Sequence, residues 1–498
     1  MRAEGNEQKR PELKRADQAH TELPVHHGGD VYRNRVRLDF SVSINPMGPP
    51  ESALKAYRDS ELQLQRYPDP EKRALKEVLA EAVTRRNGRN RDTGNSNIGN
   101  RSGENRNSGS GNGGNSGSGS GAVVTAEQFL PGNGASELLM LSVLALQPER
   151  VLLLAPSFSG YRHVLRALET VTGKRPEVTE LFLEDVQDPD GSHRFSAEPA
   201  LREAGELLKL QAERQGPGRL AAEETAAKEA GLQAGGGQAT GGTLVLLCTP
   251  NNPTGGVIPR QQILHLLPLV RRAGARLLLD ECFLSLTPEG ESESLSDVVL
   301  DWPELLIVSA FTKAFAMPGL RAGWLQTSDQ RLLERICRLQ PEWSLSVPAE
   351  AACVAALKEE GYLEASRALV RKNRRQLEQG LEALGLTVYR GEANFILFCR
   401  EEERKRAAET ADMTAAAAAA GPKGTAEGGP DGTAAVGPDG AESRETLGDA
   451  LLKQGILIRE TGDFRGLGPG FYRAAVRTEQ ENRELLEAIS AFLKCEVR

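Results

Sequence analysis

The chain of 498 residues carries 61 Lys and Arg against 69 Asp and Glu, a net charge of −8 and a pI near 5.6, which argues against a nonspecific nucleic-acid binder. Hydrophobic residues at 39%, 52 glycines and a mean hydropathy of −0.41 indicate an ordinary fold diluted by solvated segments. The six cysteines are scattered, without a CxxC pair or a histidine at ligand spacing, so a reduced chain with no metal site is expected. Residues 1–24 are charged and lack the apolar centre of a signal peptide, and no apolar run approaches the roughly 20 residues that span a bilayer. The expectation is a soluble, cytoplasmic protein with no membrane and no nucleic-acid partner.

Four stretches lack the periodic apolar residues that offset the entropy of ordering. They are the tail 1–24, a Gly/Asn/Ser/Arg-rich segment at about 87–121, another at about 213–242, and an Ala- and GPDG-containing segment at about 405–445. Their removal leaves roughly 370 residues, enough for one large and one small domain around a cleft. The arrangement expected is an arm over 25–74 joining the small domain, a large domain over 75–340, and a small α+β domain over 341–498.

In chain order, Gly132-Asn-Gly134-Ala135-Ser136 opens a helix expected over 137–146. Its free N–H groups at Gly134, Ala135 and Ser136, with the Ser hydroxyl, suit a phosphate, although a helix cap reads equally well. The apolar run 151–156 reads as a strand buried on both faces, followed by Phe158, which can stack on a planar ring or serve the core, and by a helix over 161–169. The run 243–250 reads as a second such strand. It is followed by Asn251-Asn252-Pro-Thr-Gly255, a turn that can hold the Asn252 amide rigid, and by a helix over 260–273. The run 275–281 ends in Asp280, a carboxylate at the end of a buried strand that requires a cationic partner; a protonated pyridine nitrogen, a salt bridge or a helix cap would each suffice.

The run 305–310 leads into Phe311-Thr312-Lys313, and Arg321 follows eight residues after the lysine. A lysine in a dry cleft has its pKa lowered and becomes a nucleophile toward a carbonyl, and an arginine forks onto a phosphate. The alternative is a surface loop lysine and a paired arginine. Apolar pieces at 393–398, 456–458 and 474–476, with helices over 347–384 and 479–493, complete the small domain. Alternating strands and helices imply a mostly parallel sheet with its ligand beyond the strand carboxyl ends.

Anion cradle, stacking ring, amide, carboxylate, lysine and arginine, in that order, fit pyridoxal 5′-phosphate. At these residues the chain resembles the fold-type I pyridoxal-phosphate enzymes of the aminotransferase class I/II group over about residues 25–495, the insertions excluded. The resemblance implies an α/β fold with a mostly parallel sheet covered by helices on both faces and a smaller α+β domain. It makes Lys313 the Schiff-base lysine, Asp280 the partner of the ring nitrogen and Asn252 the donor to the ring hydroxyl. Ser136, Thr312 and Arg321 become phosphate ligands. Tyr67, in Arg66-Tyr67-Pro-Asp69, matches a tyrosine that reaches the cofactor phosphate of a neighbouring subunit, implying a homodimer with shared active sites.

Within the group, His27-Gly-Gly-Asp30 and Ser41-Val-Ser43-Ile-Asn45-Pro-Met-Gly48 look like the threonine-phosphate decarboxylases of cobalamin biosynthesis more than the histidinol-phosphate aminotransferases. Ser43 replaces the Asn usual there, and Ala310 stands three residues before Lys313 where Ser is common. By this likeness Arg473 takes the substrate α-carboxylate, Asn252 also faces substrate, and His27, Ser43 and Arg459 orient a substrate phosphate.

Overall fold

The computed structural model of the protein describes residues 28–94, 123–215, 241–409 and 445–496. The tail 1–24, His27 and most of the three low-complexity stretches lie outside the described residues. Their edges differ from expectation. The helix Arg73–Gly94 runs into the first stretch, the helix Glu198–Gln215 into the second, and residues 401–409 carry helix into the third. The first two are anchored upstream by buried apolar residues, Leu75, Leu79 and Val83 in one and Leu201, Ala204 and Leu208 in the other, and no proline intervenes to stop them before the polar residues.

A seven-stranded sheet forms the centre of the large part. Its order is Phe129–Gly132, Gly323–Gln326, Leu305–Ala310, Arg276–Asp280, Thr243–Cys248, Arg150–Ala155 and Glu177–Phe182. The pairings from Leu305–Ala310 to Glu177–Phe182 are parallel, and only Gly323–Gln326 runs against its neighbours. The continuous apolar runs follow from burial on both faces. Leu244, Leu246 and Cys248 pack under the helices Ala135–Leu146 and Ser159–Thr172, while Val245 and Leu247 pack under Glu198–Gln215 and Arg260–Arg272.

A second, six-stranded sheet has the order Arg459–Glu460, Phe471–Ala475, Phe395–Cys399, Thr387–Arg390, His193–Ser196 and Glu184–Gln187. Its outer hairpin, Glu184–Ser196, comes from the middle of the chain, although its residues were expected within the large part. Polar side chains on these short edge strands give them no apolar run to read. The stretch 347–384, expected to be helical, forms two helices, Val347–Lys358 and Tyr362–Ala383, divided at Gly361 with φ 75°.

The N-terminal arm ties the parts together. Leu38–Asp39 pairs in parallel with Ile456–Leu457, and the Phe40 carbonyl accepts from the Ala475 N–H at 2.8 Å. Farther on, the Asn45 N–H donates to the Lys313 carbonyl at 3.0 Å. Among the described residues no helix is long and apolar enough to cross a membrane.

Candidate active site

The carboxyl ends of the parallel strands open into a cavity of about 370 Å³. Ala135, Ser136, Phe158, Asn252, Asp280, Thr312, Lys313 and Arg321 all line it. Arg459 and Arg473 enter from the second sheet. The structure thus brings ten of the fourteen site residues expected from the sequence to one cavity; Gly134, Ser43 and Tyr67 are not in its lining, and His27 lies outside the described residues.

Lys313 sits in the short helix Phe311–Ala314 immediately after the strand Leu305–Ala310. Desolvation, reinforced by the neighbouring charges of Arg473 and Arg321, lowers its pKa from 10.5 to about 8. Among the described residues it forms no ion pair, and its Nζ lies 5.5 Å from the centroid of the Phe283 ring. An amine held this way is neutral often enough near neutral pH to attack a carbonyl.

Asp280 is 6% exposed. Its Oδ2 accepts from the Tyr161 hydroxyl at 2.7 Å and its Oδ1 from the Cys282 N–H at 3.0 Å. Both donors are neutral, so the buried carboxylate retains its demand for a cation inside the cavity. Burial, followed by the Asp280 charge, pushes the Tyr161 hydroxyl far above its ordinary pKa, so Tyr161 is a fixed donor.

Asn252 is oriented by Arg473. The guanidinium donates from Nη1 to Asn252 Oδ1 and from Nη2 to the Ser41 carbonyl at 2.8 Å, and it lies 5.0 Å over the Phe395 ring. With its oxygen committed to Arg473, the Asn252 amide presents NH2 as its other polar end, the orientation a phenolate acceptor needs. Arg473 Nε is buried and, among the described residues, has no partner. Burial and the nearby Arg459 pull the Arg473 pKa down, but a guanidinium stays charged through the physiological range. A buried guanidinium that lines the cavity without an ion pair among the described residues is a candidate partner for an anion there.

The phosphate side is built from backbone. The helix Ala135–Leu146 begins after Gly134, φ 83°, with no side chain capping its first N–H groups. A Cβ on Gly134 would lie 3.0 Å from Arg321 Nη2, so glycine leaves room for the guanidinium beside the helix start. Arg321 is exposed at the cavity rim, in the left-handed region at φ 51°, its Nη1 donating to the Pro318 carbonyl at 3.2 Å. Gly323 is equally constrained. A Cβ there would stand 2.7 Å from the Ser309 carbonyl oxygen and 3.0 Å from the Ala135 nitrogen, so only glycine lets the antiparallel strand meet the helix N-terminus. Such an N-terminus with an adjacent arginine is suited to hold a phosphate.

Other expected residues fare differently. Arg459 lines the cavity, but its Nη2 is paired with Asp463 at 2.6 Å and its Nη1 donates to the Glu460 carbonyl, so much of its charge is already neutralised. Ser43 is not brought to the wall. Its hydroxyl is buried and, among the described residues, unpartnered, while Ser41 and Val42 face the cavity instead. The tight turn closed by the Ile44 N–H on the Val42 carbonyl rotates Ser43 away. Tyr67 is 77% exposed, packed on Trp343 with ring centroids 4.5 Å apart and planes tilted by 34°, and lies outside this cavity.

Three contributors escaped sequence reading: Tyr161, Ser41 and Asn45. Asn45 Nδ2 donates to the Ala314 carbonyl at 2.8 Å and to Ser366 Oγ at 2.7 Å, clamping the turn that bears Lys313. Tyr161 carried a usable signal, since it follows Phe158 by three residues at a helix start and so shares its face.

Fold and cavity together define a fold-type I transferase. The family model for aminotransferase class I and II matches residues 226–489, and the chain belongs to that family, whose cofactor is pyridoxal 5′-phosphate. The chain is 25% identical over 454 residues to the threonine-phosphate decarboxylase of Salmonella typhimurium, covering 91% of this chain and 90% of that one. It is 26% identical over 453 residues to the histidinol-phosphate aminotransferase of Symbiobacterium thermophilum, covering 90% and 88% respectively. Among solved structures, the histidinol-phosphate aminotransferase from Clostridium acetobutylicum shares the fold with a TM-score of 0.59 at 22% identity, covering 92% of this chain and 99% of that one. The residues present fit the cofactor: uncapped N–H groups and an arginine for a phosphate, a cation-seeking carboxylate for a ring nitrogen, and an unpaired amine for an aldehyde.

Proposed function

We propose that the protein is a pyridoxal-phosphate-dependent carboxy-lyase that converts O-phospho-L-threonine to (R)-1-aminopropan-2-yl phosphate, a step of cobalamin biosynthesis. Lys313, Asp280, Asn252, Phe158, Thr312, Arg321 and the Gly134–Ser136 turn would hold the cofactor. When bound, the cofactor supplies an electron sink conjugated to the substrate α-carbon. Everything else falls to the chain itself. Arg473, fixed between Asn252 and Ser41, would grip the α-carboxylate and set the angle at which the bond to it stands. Arg459, and His27 from beyond the described residues, would serve the substrate phosphate. Lys313, with a pKa near 8, is suited to return a proton to the α-carbon.

The observation that carries this reading is Arg473 in the cavity wall, a buried guanidinium tethered to the Asn252 amide and the Ser41 carbonyl and, among the described residues, in no ion pair. The length over which the chain matches a threonine-phosphate decarboxylase supports it. The similarly extensive likeness to a histidinol-phosphate aminotransferase supports a second reading, transamination at the same site. The reaction would run in the cytoplasm, in a homodimer in which Tyr67 reaches across to the neighbouring cavity. Incubating the holoenzyme with O-phospho-L-threonine, and separately with histidinol phosphate and 2-oxoglutarate, tests both. Carbon dioxide from the first without glutamate from the second is expected; glutamate without carbon dioxide would replace the decarboxylase with the aminotransferase.

A further inference from the structure

A buried polar chain outside the cavity has no part in the chemistry above. Lys72 is 3% exposed and adopts a left-handed backbone at φ 54°, a conformation strained for any residue with a Cβ. Its Nζ donates to two neutral oxygens, the Pro70 carbonyl at 3.3 Å and Gln340 Oε1 at 3.1 Å. Gln340 is 7% exposed, and its Nε2 donates onward to the Pro131 carbonyl at 3.1 Å and to Glu137 Oε2 at 3.2 Å. The same Glu137 oxygen accepts the Asn133 N–H at 2.7 Å. Gln340 fits in only one orientation, because reversing its amide would set NH2 against the ammonium and oxygen against two acceptors.

The chain ends on the anion-binding turn from both sides. Pro131 and Asn133 flank Gly132, whose missing Cβ would stand 2.6 Å from Glu137 Oε2 and 2.8 Å from Gln340 Nε2. Glycine at 132 thus makes room for this network as Gly134 makes room for Arg321. The carboxylate of Glu137, in the first turn of the phosphate-cradling helix, is drawn toward Gln340 and Lys72 beneath the turn. Burial lowers the Lys72 pKa, as expected of an ammonium with only neutral hydrogen-bond partners.

We infer that Lys72 and Gln340 are positioning residues that hold the Gly132–Ser136 turn in the shape that binds the cofactor phosphate. This rests on the reading of that turn as the phosphate cradle. They touch neither cofactor nor substrate. Their effect is on the register of the N–H groups, so it appears in cofactor affinity before it appears in turnover.

The test is titration of the apoprotein with pyridoxal 5′-phosphate for the parent and for Gln340→Leu, Lys72→Met, Lys72→Arg and Ser136→Asp, with thermal melts to confirm folding. Gln340→Leu and Lys72→Met are expected to weaken binding on the order of tenfold, and Lys72→Arg, which keeps the buried cation, to retain most of the affinity. Should Gln340→Leu fail to fold, Lys72→Met decides alone. Folded Gln340→Leu and Lys72→Met proteins binding within about twofold of the parent, while Ser136→Asp, which sets a carboxylate among the N–H groups, binds weakly, would overturn the positioning role and leave the cradle intact. Parent-like binding by Ser136→Asp as well would remove the cradle itself, and the inference with it.

Discussion

Lys313 and Asp280 occupy one cavity with opposite needs: the amine is held where charge is disfavoured, and the carboxylate where a counter-charge is missing. The lowered Lys313 pKa is also a statement about stability. Below about pH 8 the lysine is charged both folded and unfolded, and the cost of its desolvation is fully present. Between about 8 and 10.5 the unfolded chain keeps a proton that the folded chain has lost, so this group's contribution to stability rises with pH. Lys313→Met apoprotein should therefore exceed the parent in stability most near pH 7, with the gap narrowing by about pH 9.5; urea melts at the two values read this directly, and a gap that widens would be the contrary result. Tyr161→Phe removes the hydroxyl that donates to Asp280 Oδ2. A hydrogen bond to a charged group contributes about 1.5–3 kcal/mol, so cofactor affinity and turnover should both fall while the variant remains folded, as titration and steady-state rates would show.

At the scale of elements, the strands carrying the site were legible because each is apolar on both faces, as in Thr243–Cys248, and ends in a chemically distinctive word. Glu177–Phe182, Glu184–Gln187 and His193–Ser196 were not, because they are edge or near-edge strands with polar side chains turned to solvent. The site followed the same division. Asn252, Asp280 and Lys313 announce themselves locally. Tyr161 and Asn45 act through partners 119 and 269 residues away, and Ser41 offers Arg473 only a backbone carbonyl. The antiparallel strand Gly323–Gln326 was hidden inside a motif read for its arginine. Gly323→Ala should force this strand from the start of the helix Ala135–Leu146, costing about 1–3 kcal/mol from overpacking and weakening cofactor binding; denaturant midpoints and apoprotein titration measure the two effects.

In the whole molecule, the arm 28–48 is the thread through both sheets' surroundings, hydrogen-bonded to Leu457 and Ala475 on one side and to Lys313 and Ala314 on the other. Asn45→Ala leaves the Ala314 carbonyl and two hydroxyls in the interior short of a partner. It should lower stability by about 2 kcal/mol, visible as a shifted urea midpoint. The exposed Tyr67–Trp343 pair would be covered in the proposed homodimer, and Tyr67→Ala should weaken cofactor retention without unfolding the subunit; unchanged retention on dialysis would argue against a shared site. Arg473 draws the broadest consequence from this construction. One guanidinium grips the Ser41 backbone with one hand and the Asn252 amide with the other, so an arriving carboxylate cannot pull it aside without loosening a tether. In the proposed reading, a carboxylate that shifted Arg473 would strain the arm's backbone and the Asn252 amide together.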